Sequence, residues 1–142
     1  MLSNNEGKSV LVIPCSGIGK VHGLISREAT YLVTDELAPG QAYTLCLALL
    51  VKGDTDAVAA VQSHPCITID GCPKACAQKN VEMAGATLVK AVRVVDAFKT
   101  HHGAQPGTAS ELTNDGWTIA REIAESVASE VTSLAAEREL AP

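Results

Sequence analysis

Five cysteines are the residues of this chain best suited to chemistry: Cys15, Cys46, Cys66, Cys72 and Cys76. Their number is odd, which does not suit a disulfide framework. The opening MLSNNEGK lacks the basic-then-apolar order of a signal peptide, and Val10–Ile13 is too short for its apolar region. The expected compartment is therefore the cytoplasm, where thiols stay reduced and serve metal or redox chemistry. Cys72-Pro73-Lys74-Ala75-Cys76 is an arm of the Cys-x₂₋₄-Cys kind that holds tetrahedral zinc at about 2.3 Å from sulfur. Pro73 suits the first position of a helix following Cys72. A separation of four residues at a helix start turns both sulfurs to one side. The helix N-terminus favours negative charge, and so thiolates.

Four thiolates around one Zn²⁺ carry a net charge of about −2, which Lys20, Lys74 and Lys79 are placed to offset. A four-coordinate site of this kind has no open position for a hydrolytic water, so a zinc hydrolase is not expected. No side chain stands out as catalytic. Asp70 is expected to accept backbone N–H bonds in its turn or to orient a ligand. Gly17 and Gly71 are expected to allow close backbone approach. Cys66, inside an apolar run, reads as a small buried hydrophobe. His22 is an alternative fourth ligand at a helix start. His64 reads as closing a helix, and His101-His102 as part of a solvated loop.

The elements that position these groups follow from patterning. Ser9–Pro14 and Cys66–Asp70 are short β-branched apolar runs, the mark of buried parallel strands. The first breaks into Cys15-Ser16-Gly17-Ile18-Gly19, the second into Gly71. From Lys20 to Leu37 an apolar stripe of Val21, Leu24, Ile25, Ala29, Leu32 and Val33 predicts a helix, stopped by Pro39-Gly40. Over Gln41–Lys52 the pattern allows a strand at Tyr43–Cys46, with Leu47–Val51 continuing it or turning into a short helix. Gly53-Asp54-Thr55 offers a cap for a helix over Thr55–Ser63. Gly85 stops the helix after Cys72, and Thr87–Val95 is a third strand candidate. Residues 101–115 form a long polar loop, and Asp115 is placed to cap a final helix reaching about Glu139. Its apolar face is Ala120, Ile123, Ala124, Val127, Val131 and Leu134.

Strands alternating with helices predict a single-domain, three-layer α/β fold with a mostly parallel sheet and helices on both faces. Residues 1–8 read as a frayed N-terminus, 9–100 as the metal-binding core, and 101–142 as a loop and helix packed on it. In such a sheet the carboxyl ends of the strands share one edge, where ligands bind. Cys15 and Cys72 follow two of the strands, and Cys46 joins them if it ends the middle one.

Composition narrows the function classes. The 142 residues carry a net charge of −5 and only 3% aromatics, which speaks against a phosphate-backbone or base-stacking surface. The longest apolar run, Ala42–Val51, is far short of the roughly 18–20 residues of a membrane span. The partner expected is a metal ion, with neither nucleic acid nor membrane. The acidic final helix is either an assembly face of a homo-oligomer or a solvated surface.

Cys15-Ser16-Gly17, Cys46-Leu47-Ala48 and Ile69-Asp70-Gly71-Cys72-Pro73 with Cys76-Ala77 resemble the DGC-domain proteins, named for the Asp-Gly-Cys triplet. These are small prokaryotic proteins regarded as zinc-binding on account of four cysteines. The resemblance covers about residues 9–96 and implies Cys15, Cys46, Cys72 and Cys76 as ligands of Zn²⁺. It implies metal binding without specifying a reaction, structural, sensory or reservoir. Cys66 falls outside the four, and the final loop and helix carry no matching signature.

Two other readings compete. Four cysteines also suit an iron–sulfur cluster or a thiol redox centre, although Cys-x-x-Cys is missing and position 79 is Lys. Val10–Gly19 also resembles the phosphocysteine loop of sugar phosphotransferase subunits, with Cys15 as nucleophile. That reading leaves Cys72 and Cys76 without a role.

Overall fold

The computed structural model describes residues 9–15 and 17–140. The expected frayed segment over 1–8, and Ser16 of the first turn, lie outside the described residues. Four parallel strands form one sheet: β1 (Val10–Pro14), β2 (Ala42–Tyr43), β3 (Cys66–Asp70) and β4 (Leu88–Arg93). Their spatial order is β2-β1-β3-β4, so β1 and β3 are central. Both were legible as continuous apolar runs because both faces of each are covered.

The chain leaves β1 through α1 (Val21–Tyr31), a π-helical turn over Leu32–Leu37, and then β2 on one side. It leaves β3 through α4 (Cys76–Met83) to β4 on the other side. Right-handed crossovers in opposite directions put their helices on opposite faces of the sheet. Accordingly Ile25 and Ala29 of α1 pack with Val10, Val12, Ile67 and Ile69 on one face. Ala77 and Val81 of α4 pack with Leu11, Ile13 and Cys66 on the other, beside α2 (Leu47–Lys52) and α3 (Thr55–Ser63). The short α5 (Val94–Ala97) and the long α6 (Asn114–Leu140) complete the α1 layer. The predicted three-layer α/β domain is the one observed, with an all-parallel sheet.

Several local expectations are corrected. The 41–52 segment resolves into a two-residue β2 at the sheet edge and a separate helix α2, for which Cys46 is the N-cap residue. Cys46 thus lies three residues beyond the strand, which is an edge strand and not the middle one. The helix after Cys72 does not begin at Pro73: Cys72–Ala75 is a turn, with the Ala75 N–H donating to the Cys72 carbonyl at 3.2 Å. β4 is shorter than Thr87–Val95 and carries a register shift opposite Cys66 and Ile67. That irregularity leaves Val89 unpaired between Leu88 and Lys90.

The final helix is capped by Thr113 and not by Asp115. Thr113 Oγ1 accepts the Gly116 N–H at 3.3 Å, while Asp115 Oδ2 accepts the Gln105 N–H at 3.1 Å and ties down the preceding loop. The inward face of α6 is the predicted one, with Ala120, Ile123, Ala124, Val127 and Val131 buried. Each of its larger aliphatic side chains contributes roughly 1.5–3 kcal/mol by leaving water. Thr113→Ala is expected to lower unfolding free energy by about 1 kcal/mol, read as a shifted denaturant midpoint with unchanged slope.

Candidate metal centre

Because β1 and β3 are adjacent and send their chains to opposite faces, the carboxyl edge between them is a topological switch point, where the loops part and leave a crevice. Cys15 begins the loop after β1, and its N–H donates to the Ile69 carbonyl at 3.0 Å, continuing the β1–β3 ladder. Cys72 follows β3 by two residues, and Cys76 opens α4. Cys46 opens α2, which packs against α4 in the same layer. All four cysteines implied by the resemblance therefore lie along one edge of the sheet.

Their side chains differ in surroundings. Cys15 is 8% exposed, whereas Cys72 is half-buried and Cys46 and Cys76 are exposed. The Gly71 N–H donates to Cys15 Sγ at 3.2 Å. Ser26 Oγ donates to the Gly23 carbonyl at 2.7 Å and stands 3.5 Å from Cys15 Sγ. With the Ser26 proton engaged by Gly23, the Cys15 S–H is the donor across that 3.5 Å. The thiol thus closes a chain running from the Gly71 amide to the Gly23 carbonyl. Ser26 and Gly23 went unrecognised in the sequence, although a glycine within a helical stripe is a signal of close packing.

Three glycines make this arrangement possible. A Cβ on Gly17 would stand 2.8 Å from Gly23 Cα and 3.3 Å from Cys15 Sγ. A Cβ on Gly71 would stand 2.9 Å from the His22 carbonyl carbon. The strand-end loops and the start of α1 therefore touch backbone to backbone, as expected for Gly17 and Gly71.

Asp70 has a structural role. It is buried at the end of β3, and its carboxylate accepts the N–H groups of Ala77 at 2.7 Å and Gln78 at 3.0 Å. Burial pushes its carboxyl above the ordinary range, opposed by those two bonds and by the Lys79 charge. Two donors at the α4 N-terminus are thus taken by Asp70, which corrects the expectation that they stand ready for thiolates. The expected geometry of Cys72 and Cys76 one helical turn apart also fails, since Cys72 precedes the helix. Ala75 between them holds a left-handed backbone, with φ of 53°.

The donor set still suits a soft divalent cation: thiols from three separate loops, with lysines nearby. Among the described residues no three His, Cys, Asp or Glu side chains form a metal-holding group.

The remaining candidates are engaged elsewhere. His22, the alternative fourth ligand, packs its ring 4.9 Å from that of Phe98, in the α1 layer. Burial, and secondarily the Lys20 charge, hold its pKa below the ordinary value. His101 Nε2 lies 2.7 Å from Glu122 Oε2 and ties the 101–113 loop to α6. His64 closes α3, as expected. Cys66 is fully buried, and desolvation pushes its thiol up to about 12. A raised thiol pKa makes its contribution to stability complete below the ordinary thiol value of 9.0, and that contribution is lost as pH rises toward about 12. Under native conditions an alkylating reagent at pH 8 is expected to label Cys46 and Cys76 within minutes and to leave Cys66 unmodified until the chain unfolds. Mass spectrometry of tryptic peptides reads both.

The model of the DGC domain matches residues 11–114, most of the chain. The chain belongs to the DGC-domain family. The match extends beyond the segments that carried the sequence resemblance and takes in the 101–113 loop of this DGC domain up to the start of α6. No curated protein matches the chain, and no solved structure matches it. Among the described residues no helix is long and apolar enough to cross a membrane.

Proposed function

We propose that this DGC domain binds one Zn²⁺ through Cys15, Cys46, Cys72 and Cys76 at the carboxyl edge of its sheet. What supports the reading is that Cys15 and Cys72 follow the adjacent strands β1 and β3, with Cys76 opening α4 and Cys46 preceding α2 in the layer beside them. Zinc bound by four thiolates serves as a structural, sensory or stored ion. The residues' own part is to supply thiolates and to offset their charge through Lys20, Lys74 and Lys79. The four residues would hold the ion as thiolates, so affinity is expected to rise with pH. As a thiolate ligand Cys15 would no longer donate toward Ser26 Oγ, and its proton would leave to solvent, while the Gly71 N–H would remain a donor to its sulfur.

A nucleophilic role for Cys15, which is 8% exposed, is disfavoured because it leaves Cys72 and Cys76 without a part. Elemental analysis of protein purified without oxygen and without a metal-affinity tag tests the proposal. About one zinc per chain supports it. Iron with acid-labile sulfide replaces it with a cluster, and absence of metal overturns it.

A further inference from the structure

A second concave site lies between α2 and α3, and none of the four cysteines lines it. The cleft encloses about 630 Å³, within the range of about 300–1,000 Å³ typical of small-molecule sites. Leu11 of β1 forms part of its lining, together with Leu45, Leu49, Ala57 and Ala60. Two further lining residues, His64 and Thr44, each carry a buried polar atom, Nε2 and Oγ1, with no hydrogen-bond partner among the described residues. His64 is 8% exposed, and a buried polar atom left unpaired is costly.

The chemistry of these atoms defines what they accept. His64 Nδ1 lies 2.8 Å from the Ala60 carbonyl oxygen. A carbonyl oxygen only accepts, so Nδ1 carries the proton, and Nε2 of the neutral ring presents a lone pair. The complementary group is therefore an N–H or O–H donor. The charged groups on the lining are Asp54 and Asp56, and neither Lys nor Arg is present to balance them. Asp54 spends one carboxylate oxygen on the Ala57 N–H at 3.0 Å, and Asp56 is exposed. Such a rim repels anions and attracts cations. A bare metal ion is not served, because no metal-holding group of three side chains is gathered here among the described residues.

We infer that the α2/α3 cleft binds a small organic ammonium, its N–H donated to His64 Nε2 and its apolar body laid against Leu11, Leu45 and Leu49. Thr44 Oγ1 offers a second acceptor. None of the four cysteines lines the cleft, and its test requires no zinc.

Titration of the full chain with hexylammonium, hexanol and hexanoate, followed by ¹⁵N resonances of the histidine rings, tests it. Hexylammonium is expected to saturate and to move the His64 Nε2 signal, with hexanoate at least about tenfold weaker. His64→Leu, which keeps the site apolar, is expected to weaken hexylammonium about tenfold. Should that variant fail to fold, Ala59→Phe serves instead: Ala59 is an exposed lining residue, so the ring blocks the cleft without entering the core. Loss of binding in Ala59→Phe supports the assignment. Equal affinity for all three probes, binding undiminished by Ala59→Phe, or no saturable shift of His64 overturns it, and the two polar atoms are then satisfied by water.

Discussion

Replacing Gly23 by alanine is expected to destabilise this domain by about 3 kcal/mol, lowering the melting temperature by roughly 10 °C. Two effects oppose each other at this position. Alanine is favoured over glycine inside a helix by about 1 kcal/mol. Yet the added Cβ would meet the carbonyl oxygen, carbonyl carbon and Cα of Gly17, all of them backbone atoms that no rotamer change can move aside. The clash wins, because relieving it means lifting the Cys15–Gly19 loop off α1. The same displacement would pull Cys15 Sγ away from Ser26 Oγ of α1, which stands 3.5 Å from it. Gly19→Ala is the control: its φ is 95°, but nothing lies within 4 Å of the new methyl, so only the left-handed strain applies, about 1 kcal/mol. Thermal unfolding of the two variants beside the parent decides the matter. A Gly23→Ala protein as stable as the parent would mean that the strand-end loop does not pack on α1.

The second large effect concerns metal. Cys72→Ser is expected to reduce zinc from about one per chain to below roughly a tenth, while the far-UV circular dichroism stays that of a folded α/β protein. Zinc-finger peptides draw about 10–16 kcal/mol from their ion because they have almost no core. This chain has two clusters of buried aliphatic side chains, one on each face of the sheet, and neither depends on a metal. Unfolding should stay cooperative, with a lower midpoint than the zinc-loaded parent, because an ion bound only to the folded state adds stability by mass action. Cys66→Ala is the matched control: Cys66 of β3 packs against the α2–α4 helices, so the variant should lose stability and keep its zinc. A random-coil spectrum for Cys72→Ser would show that the ion is the core. Full zinc content in Cys72→Ser would remove Cys72 from the ligand set.

Much of this architecture was legible before any coordinates. Val10–Pro14 and Cys66–Asp70 announce themselves as central strands because a strand buried on both faces is apolar at most of its positions. Helix α3 was bounded correctly by Asp54, whose carboxylate accepts the Ala57 N–H, and by His64-Pro65. Once those strands are parallel neighbours, Cys15 and Cys72 must share the carboxyl edge. These conclusions rest on periodicity, caps and stops, which act within a few residues along the chain.

What the sequence could not disclose is set by contacts between distant segments. Pro73 looks like a helix start, yet the helix waits for Cys76 because the Asp70 carboxylate reaches forward to the amides of Ala77 and Gln78. Asp115 looks like a cap, yet it is drawn back to Gln105 and leaves the task to Thr113. Gly23 reads as a weak point in a helix until Gly17 is seen against it. Thr44 and His64 come together in one cleft although twenty positions separate them. The sequence alone determined the two central strands and that Cys15 and Cys72 follow them, since burial on both faces leaves its mark along the length of a strand. Tertiary structure decided which donors and acceptors remain for chemistry, because a hydrogen bond is allotted by proximity in space.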